Sequence, residues 1–252
     1  MRERAPVALV TGAARGIGAA TARRFADAGY QVVGADVLAR EAIDDRPDEW
    51  ALEECDVADE AAVAALVARV RDGAGGIDVL VNVAGVVLVK PLEETTWEEF
   101  SRVSNVNIGG TFLLCKHVIP VMRANGGGSI VNVGSVSGHV GQVDHVLYGA
   151  TKAAVIGMCR ALAWELAPDN IRINSVSPGS VDTAMLRGDI ALEAERTGSS
   201  YEDVKKLREG EQAFGRWADP SEIAEAVFFM ASNGSSFVTG SDLLVDCGWT
   251  AR

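Results

Sequence analysis

The chain has 252 residues, with 23 Lys and Arg against 35 Asp and Glu and a formal net charge of −12. A hydrophobic share of 48% excludes a disordered chain, and the length fits one large α/β domain or two small ones, with ample core. The acidic balance argues against nucleic acid as the partner, because a phosphate backbone calls for a basic stripe. A small phosphate-bearing ligand held by a helix terminus stays open.

Apolar β-type runs alternate with helix-length stretches. Pro6 to Val10 reads as a first strand, followed by a glycine turn and a helix over Gly16 to Ala28. Gln31 to Ala35 is a second strand, and Trp50 to Cys55 a weaker third. Asp59 to Asp72 is an amphipathic helix. Ile77 to Val83 and Ser129 to Val133 are continuous apolar strands, the mark of a sheet covered on both faces. Ile171 to Val176 and Asp242 to Val245 complete a set of seven. Strands separated by helices predict a Rossmann-type, doubly wound, mainly seven-stranded parallel sheet with helices on both faces, in a single domain over 1–252. The charged segment from Asp182 breaks the rhythm and is only partly helical by pattern; residues 182–214 read as a substrate lid.

Two long helices stand out, Trp97 to Arg123 and Tyr148 to Ala167. The second is apolar almost all round, so something besides its own sheet must cover it. A second copy of the chain is the simplest cover, which predicts a homotetramer or homodimer. The N-terminal run Ala5 to Val10 is too short for a signal-peptide core, and the uncharged stretch Ala124 to Val143 carries six glycines, so no membrane span is expected. Cys55, Cys115, Cys159 and Cys247 lie apart among apolar residues and read as reduced core thiols of a cytoplasmic protein. His117, His139 and His145 show no metal-ligand spacing with them, and no metal is expected.

Thr11-Gly12-Ala13-Ala14-Arg15-Gly16-Ile17-Gly18 sits between the first strand and the first helix. Gly12 permits the sharp turn, Gly16 allows close approach of a pyrophosphate, and Gly18 lets helix and strand pack, while the helix N-terminus supplies N–H groups. Asp36 follows the second strand, placed to accept hydrogen bonds from the adenosine ribose. Its charge would repel a 2′-phosphate, whereas Arg15 would attract one; the desolvated repulsion is the larger, which favours NAD over NADP.

Tyr148-Gly-Ala-Thr-Lys152 sets a phenol and an ammonium one helical turn apart on one face. Ser135 ends the fifth strand upstream, and Asn107 lies in the preceding long helix. With the glycine turn, Asp36, Asp56-Val57, Asn82-Val83-Ala84-Gly85, Pro178-Gly179 and Thr239-Gly240, the chain resembles the short-chain dehydrogenases/reductases along nearly its whole length. The resemblance implies that Tyr148 is the general acid/base, that Lys152 lowers the phenol pKa and binds the nicotinamide ribose, and that Ser135 donates to the substrate oxygen. It implies further that Asn107 kinks its helix and holds a water. Asp56, Val57, Asn82, Ala84 and Gly85 would attend the adenosine side, with Gly12, Arg15, Gly16, Ile17 and Gly18 at the phosphates. Pro178, Gly179, Val181 and Thr183 would surround the carboxamide. Two positions depart from the family pattern: Val83 stands where a second Asn is usual, and Cys247 where a Gly is usual.

The substrate side is thinner in signal. Ser137, Gln142, His145 and Met185 are candidates by position, with His139, Val146, Val86 to Val89, Leu186 and Trp217 behind them. They suit a small or cyclic alcohol or ketone without choosing among such molecules. The expected activity is NAD-dependent interconversion of a secondary alcohol and a ketone. An NADPH-linked 3-oxoacyl carrier-protein reductase is the alternative within the same chemistry, and a non-catalytic dinucleotide sensor the alternative outside it.

Overall fold

The computed structural model describes residues 4–38 and 50–251. Seven parallel strands run in the order β3-β2-β1-β4-β5-β6-β7. They are β1 (Val7–Thr11), β2 (Gln31–Asp36), β3 (Ala51–Glu54), β4 (Val79–Asn82), β5 (Gly128–Val133), β6 (Ile171–Pro178) and β7 (Asp242–Val245). All five residues of β1 are buried, as are all four of β4, which is why these segments read as unbroken apolar runs.

The pleat divides the strand residues between two cores. Val7, Leu9, Leu80 and Ile130 face one side, where they meet Val63, Leu66 and Val70 of α2 (Glu60–Ala74), Leu114 and Val118 of α4 (Thr111–Ala124), and Cys159 and Leu166 of α5 (Val146–Leu166). Ala8, Val10, Val79, Val81 and Val131 face the other, against Ala22 and Phe25 of α1 (Gly16–Asp27) and Ile223, Val227 and Met230 of α8 (Pro220–Ala231). Fully burying one such aliphatic side chain is worth roughly 1.5–3 kcal/mol, so the two layers supply most of the driving force for folding.

Helix boundaries follow local chemistry. Asp59 caps α2 by accepting from the Ala61 and Ala62 amides, and Gly75, in left-handed backbone at φ 74°, ends it. Asp219 and Glu222 form a reciprocal capping box on α8, with Pro220 at its first position. Arg172 of β6 closes the other end of α8: its guanidinium donates to the carbonyls of Met230, Ala231, Ser232 and Val238 and to the Ser235 hydroxyl.

Three expectations change. The stretch Trp97 to Arg123 is not one regular helix: α3 (Trp97–Ser104) passes through a π-helical stretch, Asn105–Gly110, before α4 begins. The segment after β6 is more helical than its pattern suggests, forming α6 (Ala184–Thr197) and α7 (Tyr201–Gly210), which pack through Ile190, Ala194, Val204 and Trp217. Cys55, Cys115 and Cys159 are buried, but Cys247 is not a core thiol. It is half-buried in a turn at φ 51°, and its sulfur accepts from the Phe214 amide.

Among the described helices, α5 with its C-terminal extension to Asp169 is long and apolar enough to cross a bilayer by composition. It lies instead along β6, with Val155, Ile156, Cys159, Ala163 and Leu166 buried. Its outward side carries Trp164 at 89% exposure, and Phe112 on α4 is 52% exposed.

Candidate active site

A parallel sheet of this order has its switch point where β1 lies between β2 and β4, so a crevice opens beyond the strand carboxyl ends. A cavity of about 550 Å³ occupies that place.

One end is built by the turn after β1. Gly12 and Gly16 both hold left-handed backbone, at φ 65° and 56°, which a side chain would strain. At Gly18 a Cβ would collide with the Gly12 carbonyl, so the turn and α1 can close on each other only as they do. The N-terminus of α1 has no side-chain cap and no acidic residue in its first turn, although α2, α3, α6, α7 and α8 are each capped by a side chain. Its free N–H groups therefore face the cavity as an anion cradle. Asp36 stands at the tip of β2, its two oxygens accepting from the Ala14 amide (3.0 Å) and the Leu38 amide (3.1 Å). Lone pairs beyond these two bonds remain for a ligand.

The other end carries Tyr148 and Lys152 on the first two turns of α5 and Ser135 just beyond β5. Lys152 Nζ lies 5.7 Å from the Tyr148 ring centre and donates to the Val133 carbonyl (2.9 Å). Ser135 caps a short 3₁₀ turn, accepting from the Ser137 amide (3.1 Å), and its hydroxyl lines the same cavity as the Tyr148 phenol. From Ser137 the chain of hydroxyls continues to the Gln142 amide oxygen. Burial disfavours charge on both central groups: it pushes the Tyr148 phenol up to about 12, against the opposing Ser135 hydrogen bond, and the Lys152 ammonium down to about 8. In the ligand-free cleft, removal from water is thus the largest influence on the phenol, with Asp189 adding to it and Ser135 opposing.

The comparisons with known proteins decide the family. The model of a family described as enoyl-(acyl carrier protein) reductase matches residues 12–250. The cis-4-hydroxycyclohexanecarboxylate dehydrogenase of Sinomonas cyclohexanicum is 43% identical over 97% of this chain and 96% of its own length. The D-threitol dehydrogenase of Mycolicibacterium smegmatis is 39% identical over 98% and 93%. The ligand-free structure of the Thermoplasma acidophilum aldohexose dehydrogenase superposes with a TM-score of 0.91 at 34% identity, covering 99% of this chain and 95% of that one. The chain is a short-chain dehydrogenase/reductase.

As such it is an oxidoreductase acting on CH–OH groups, and it binds a nicotinamide dinucleotide. The uncapped α1 terminus, the left-handed glycines and the Asp36 carboxylate make a cradle that fits that group. Gly12, Arg15, Gly16, Ile17, Gly18, Asp36, Asp56, Val57, Ala84, Gly85, Pro178, Gly179, Val181 and Thr183 all line the cavity, as do Ser135, Tyr148 and Lys152.

Asn82 and Asn107 do not. Asn82 shares strand parity with Leu80, so its side chain points into the α4 layer, where its amide donates to Asn132 (2.8 Å) and contacts the Cys115 sulfur. Its link to the nucleotide pocket is the adjoining backbone, since the Val83 and Ala84 amides donate to Thr11 Oγ1. Asn107 lies in the π-helical stretch; its carboxamide accepts from the Val86 amide and donates to the Val86 carbonyl and the Thr151 hydroxyl. It ties the β4 loop to α5 from behind the wall.

Of the substrate candidates, Ser137, Gln142, His145 and Met185 line the cavity with Val86, Val87 and Leu186. Trp217 belongs to the packing of α6 and α7, and His139 turns away to meet Asp242 (2.8 Å). Asp189 of α6 lines the cavity too, a position that no local pattern in the sequence singles out.

Proposed function

We propose that this chain is an NAD-dependent dehydrogenase that interconverts a small or cyclic secondary alcohol and its ketone, with Tyr148 as general acid/base. The observation that carries the reading is the convergence of Tyr148, Ser135 and Lys152 on one wall of a cavity whose far end is the α1 cradle. When bound, the nicotinamide accepts or gives the hydride. Every other part falls to the chain. Tyr148 takes the proton from the alcohol oxygen or returns it to the ketone oxygen. Ser135, anchored by the Ser137 amide, donates to that same oxygen and stabilises its developing negative charge. Lys152 holds the nicotinamide ribose and supplies a positive charge beside the phenolate. Asn107 keeps the Val86 loop and α5 in register so that these groups stay aligned.

Asp36 supports NAD over NADP. A 2′-phosphate would have to enter beside a carboxylate already fixed by two backbone amides and unable to swing away. The same feature weighs against an NADPH-linked 3-oxoacyl carrier-protein reductase. The intact reactive set weighs against a mere sensor. The α6–α7 segment within 182–214 serves as the lid of the substrate pocket, a reading supported by Thr183 and Met185 lining the cavity. Exposed Trp164 and Phe112 on adjoining helices support assembly as a homotetramer or homodimer, and the buried free thiols support a cytoplasmic home.

The test is a panel of secondary alcohols, polyols and hydroxylated rings with NAD or NADP, read as reduced cofactor formed. Turnover with NAD that Tyr148→Phe abolishes supports the reading; a panel oxidised only with NADP, or by the Phe variant at the native rate, overturns it.

A further inference from the structure

The substrate end of the cavity mixes aliphatic side chains with neutral polar ones, and carries one carboxylate. Met185 and Asp189 are four residues apart on α6, hence on one face of that helix, and both line the cavity. Ile190 and Ala194, on the adjoining stripe of the helix, are buried in the packing of α6 and α7. The helix is therefore anchored along that stripe and holds Asp189 over the reacting end, close enough to Tyr148 to act on the phenol electrostatically.

Asp189 is half-buried, and among the described residues it has no hydrogen-bond partner. The cation beside it, Arg208, is committed elsewhere: its guanidinium donates to Glu193 (2.7 Å) and to Glu211 (3.0 Å). Burial pushes the Asp189 carboxyl up to about 6, with Arg208 opposing and Glu193 adding to the rise. Gln142 is engaged by Ser137, and His145 Nδ1 by the Val143 carbonyl (2.6 Å). The lone pairs of Asp189 are open to donors that a ligand brings into the cleft. No group of three or more His, Cys, Asp or Glu side chains that could hold a metal ion gathers among the described residues. Hydroxyl groups fit; a second carboxylate would repel.

We propose that Asp189 reads the substrate's remote hydroxyl groups, so that the cleft takes a neutral polyol or sugar and disfavours an alcohol carrying its own carboxylate. This rests on the dehydrogenase reading above and narrows its substrate class. Of the cations lining the cavity, Arg15 stands at the phosphate turn, Lys152 is bound to the Val133 carbonyl, and Arg102 sits exposed on α3. None is positioned on α6 to offset Asp189.

The experiment compares a linear polyol such as threitol, cyclohexanol, and cis-4-hydroxycyclohexanecarboxylate in the native enzyme, Asp189→Ala and Asp189→Asn. Cyclohexanol serves as internal reference, because it uses the same Tyr148 but has no second hydroxyl. In the Ala variant the ratio of kcat/KM for polyol to that for cyclohexanol falls about tenfold or more, mainly through KM, since the contact is made equally in ground and transition states. The ratio for the hydroxy acid rises. The Asn variant, an isostere without charge, keeps part of the polyol preference while gaining for the hydroxy acid. Unmoved ratios in both variants, or a native preference for the hydroxy acid, overturn the assignment of Asp189 alone. A native enzyme that oxidises none of the three overturns the dehydrogenase reading together with it.

Discussion

Arg196, in the last turn of α6, pairs with Asp144, a residue held in left-handed backbone at φ 62° four positions before Tyr148. The pair joins α6, the helix proposed as part of a lid, to the loop that leads into α5. The Asp144 carbonyl also accepts from the Lys90 amide (2.8 Å), so the same residue braces the β4 side of the cleft. Half-exposed ion pairs contribute about 1 kcal/mol or less to stability. Arg196→Ala is accordingly expected to shift Tm little but to loosen the hold of the lid. Substrate KM should rise by up to about fivefold, which corresponds to that energy, and limited proteolysis between residues 184 and 210 should quicken. Native cleavage and an unchanged KM would mean that the pair has no part in holding the lid.

Tyr148→Phe removes the only phenol in the cleft while keeping the ring. Loss of a positioned acid/base group costs on the order of 10²–10⁴ in rate. Turnover of any alcohol should fall into that range or lower, with reduced-cofactor fluorescence still reporting binding at the α1 cradle. A variant that loses both would point to a structural role for the phenol instead.

Much of this was legible from sequence, and the residues that were not share a cause. The sheet could be read because its central strands β1 and β4 are predominantly apolar and buried throughout, and the Tyr148–Lys152 pair because helical spacing alone puts them on one face. For Asn82 a motif names a neighbourhood but not a side of the sheet; parity with Leu80 settles its direction only once β4 is known to start at Val79. Asp189 hides among the acidic residues of a segment with little amphipathic pattern, and its place over the cleft depends on how α6 docks through Ile190 and Ala194. The upward shift of the Tyr148 phenol in the ligand-free cleft is likewise a property of burial, which spacing does not carry.

The shifts at Lys152 and Tyr148 make stability depend on alkaline pH in opposite ways. With Lys152 lowered to about 8 from an ordinary 10.5, the unfolded chain binds more protons across that window, so the native state gains as pH rises through it. With Tyr148 raised from 10 to about 12, the native state holds the extra proton above 10, and stability falls there. Ligand-free Lys152→Met should therefore lack the rise: the difference in Tm between native protein and variant should move in favour of the native protein from pH 8 to pH 10. A constant difference across that range would show that Lys152 titrates as it does in water.

Asp36→Ala should relax the preference for NAD, but at a structural cost. Two backbone amides, those of Ala14 and Leu38, lose their acceptor at once. With each such bond worth about 1 kcal/mol, the variant should be less stable by roughly 1–2 kcal/mol in denaturant unfolding. Its kcat/KM for NADP should rise about tenfold relative to that for NAD, the size expected when one like-charge contact is removed. Asp36→Asn, which drops the charge but keeps only one of the two acceptor oxygens, should show the cofactor change while one of the two amides still loses its partner. A native enzyme already indifferent between the two cofactors would leave Asp36 as a brace of the turn and nothing more.

Arg172 gives the sharpest stability prediction. Its guanidinium answers four carbonyls at and beyond the end of α8, together with the Ser235 hydroxyl, and burial lowers its pKa. A helix C-terminus presents carbonyls with no partner of their own, and a cation there meets both the hydrogen-bond need and the negative end of the dipole. Arg172→Ala strands those carbonyls beside β6, at a cost of about 3 kcal/mol or more. Arg172→Lys restores the charge but not the planar fork of donors, so it should recover less than half of the loss. Because α8 packs on α1, whose N-terminus forms the cradle, the Ala variant should also bind reduced cofactor more weakly. Full stability in the Lys variant would show that charge at the helix end, rather than the forked hydrogen bonding, is what β6 contributes there.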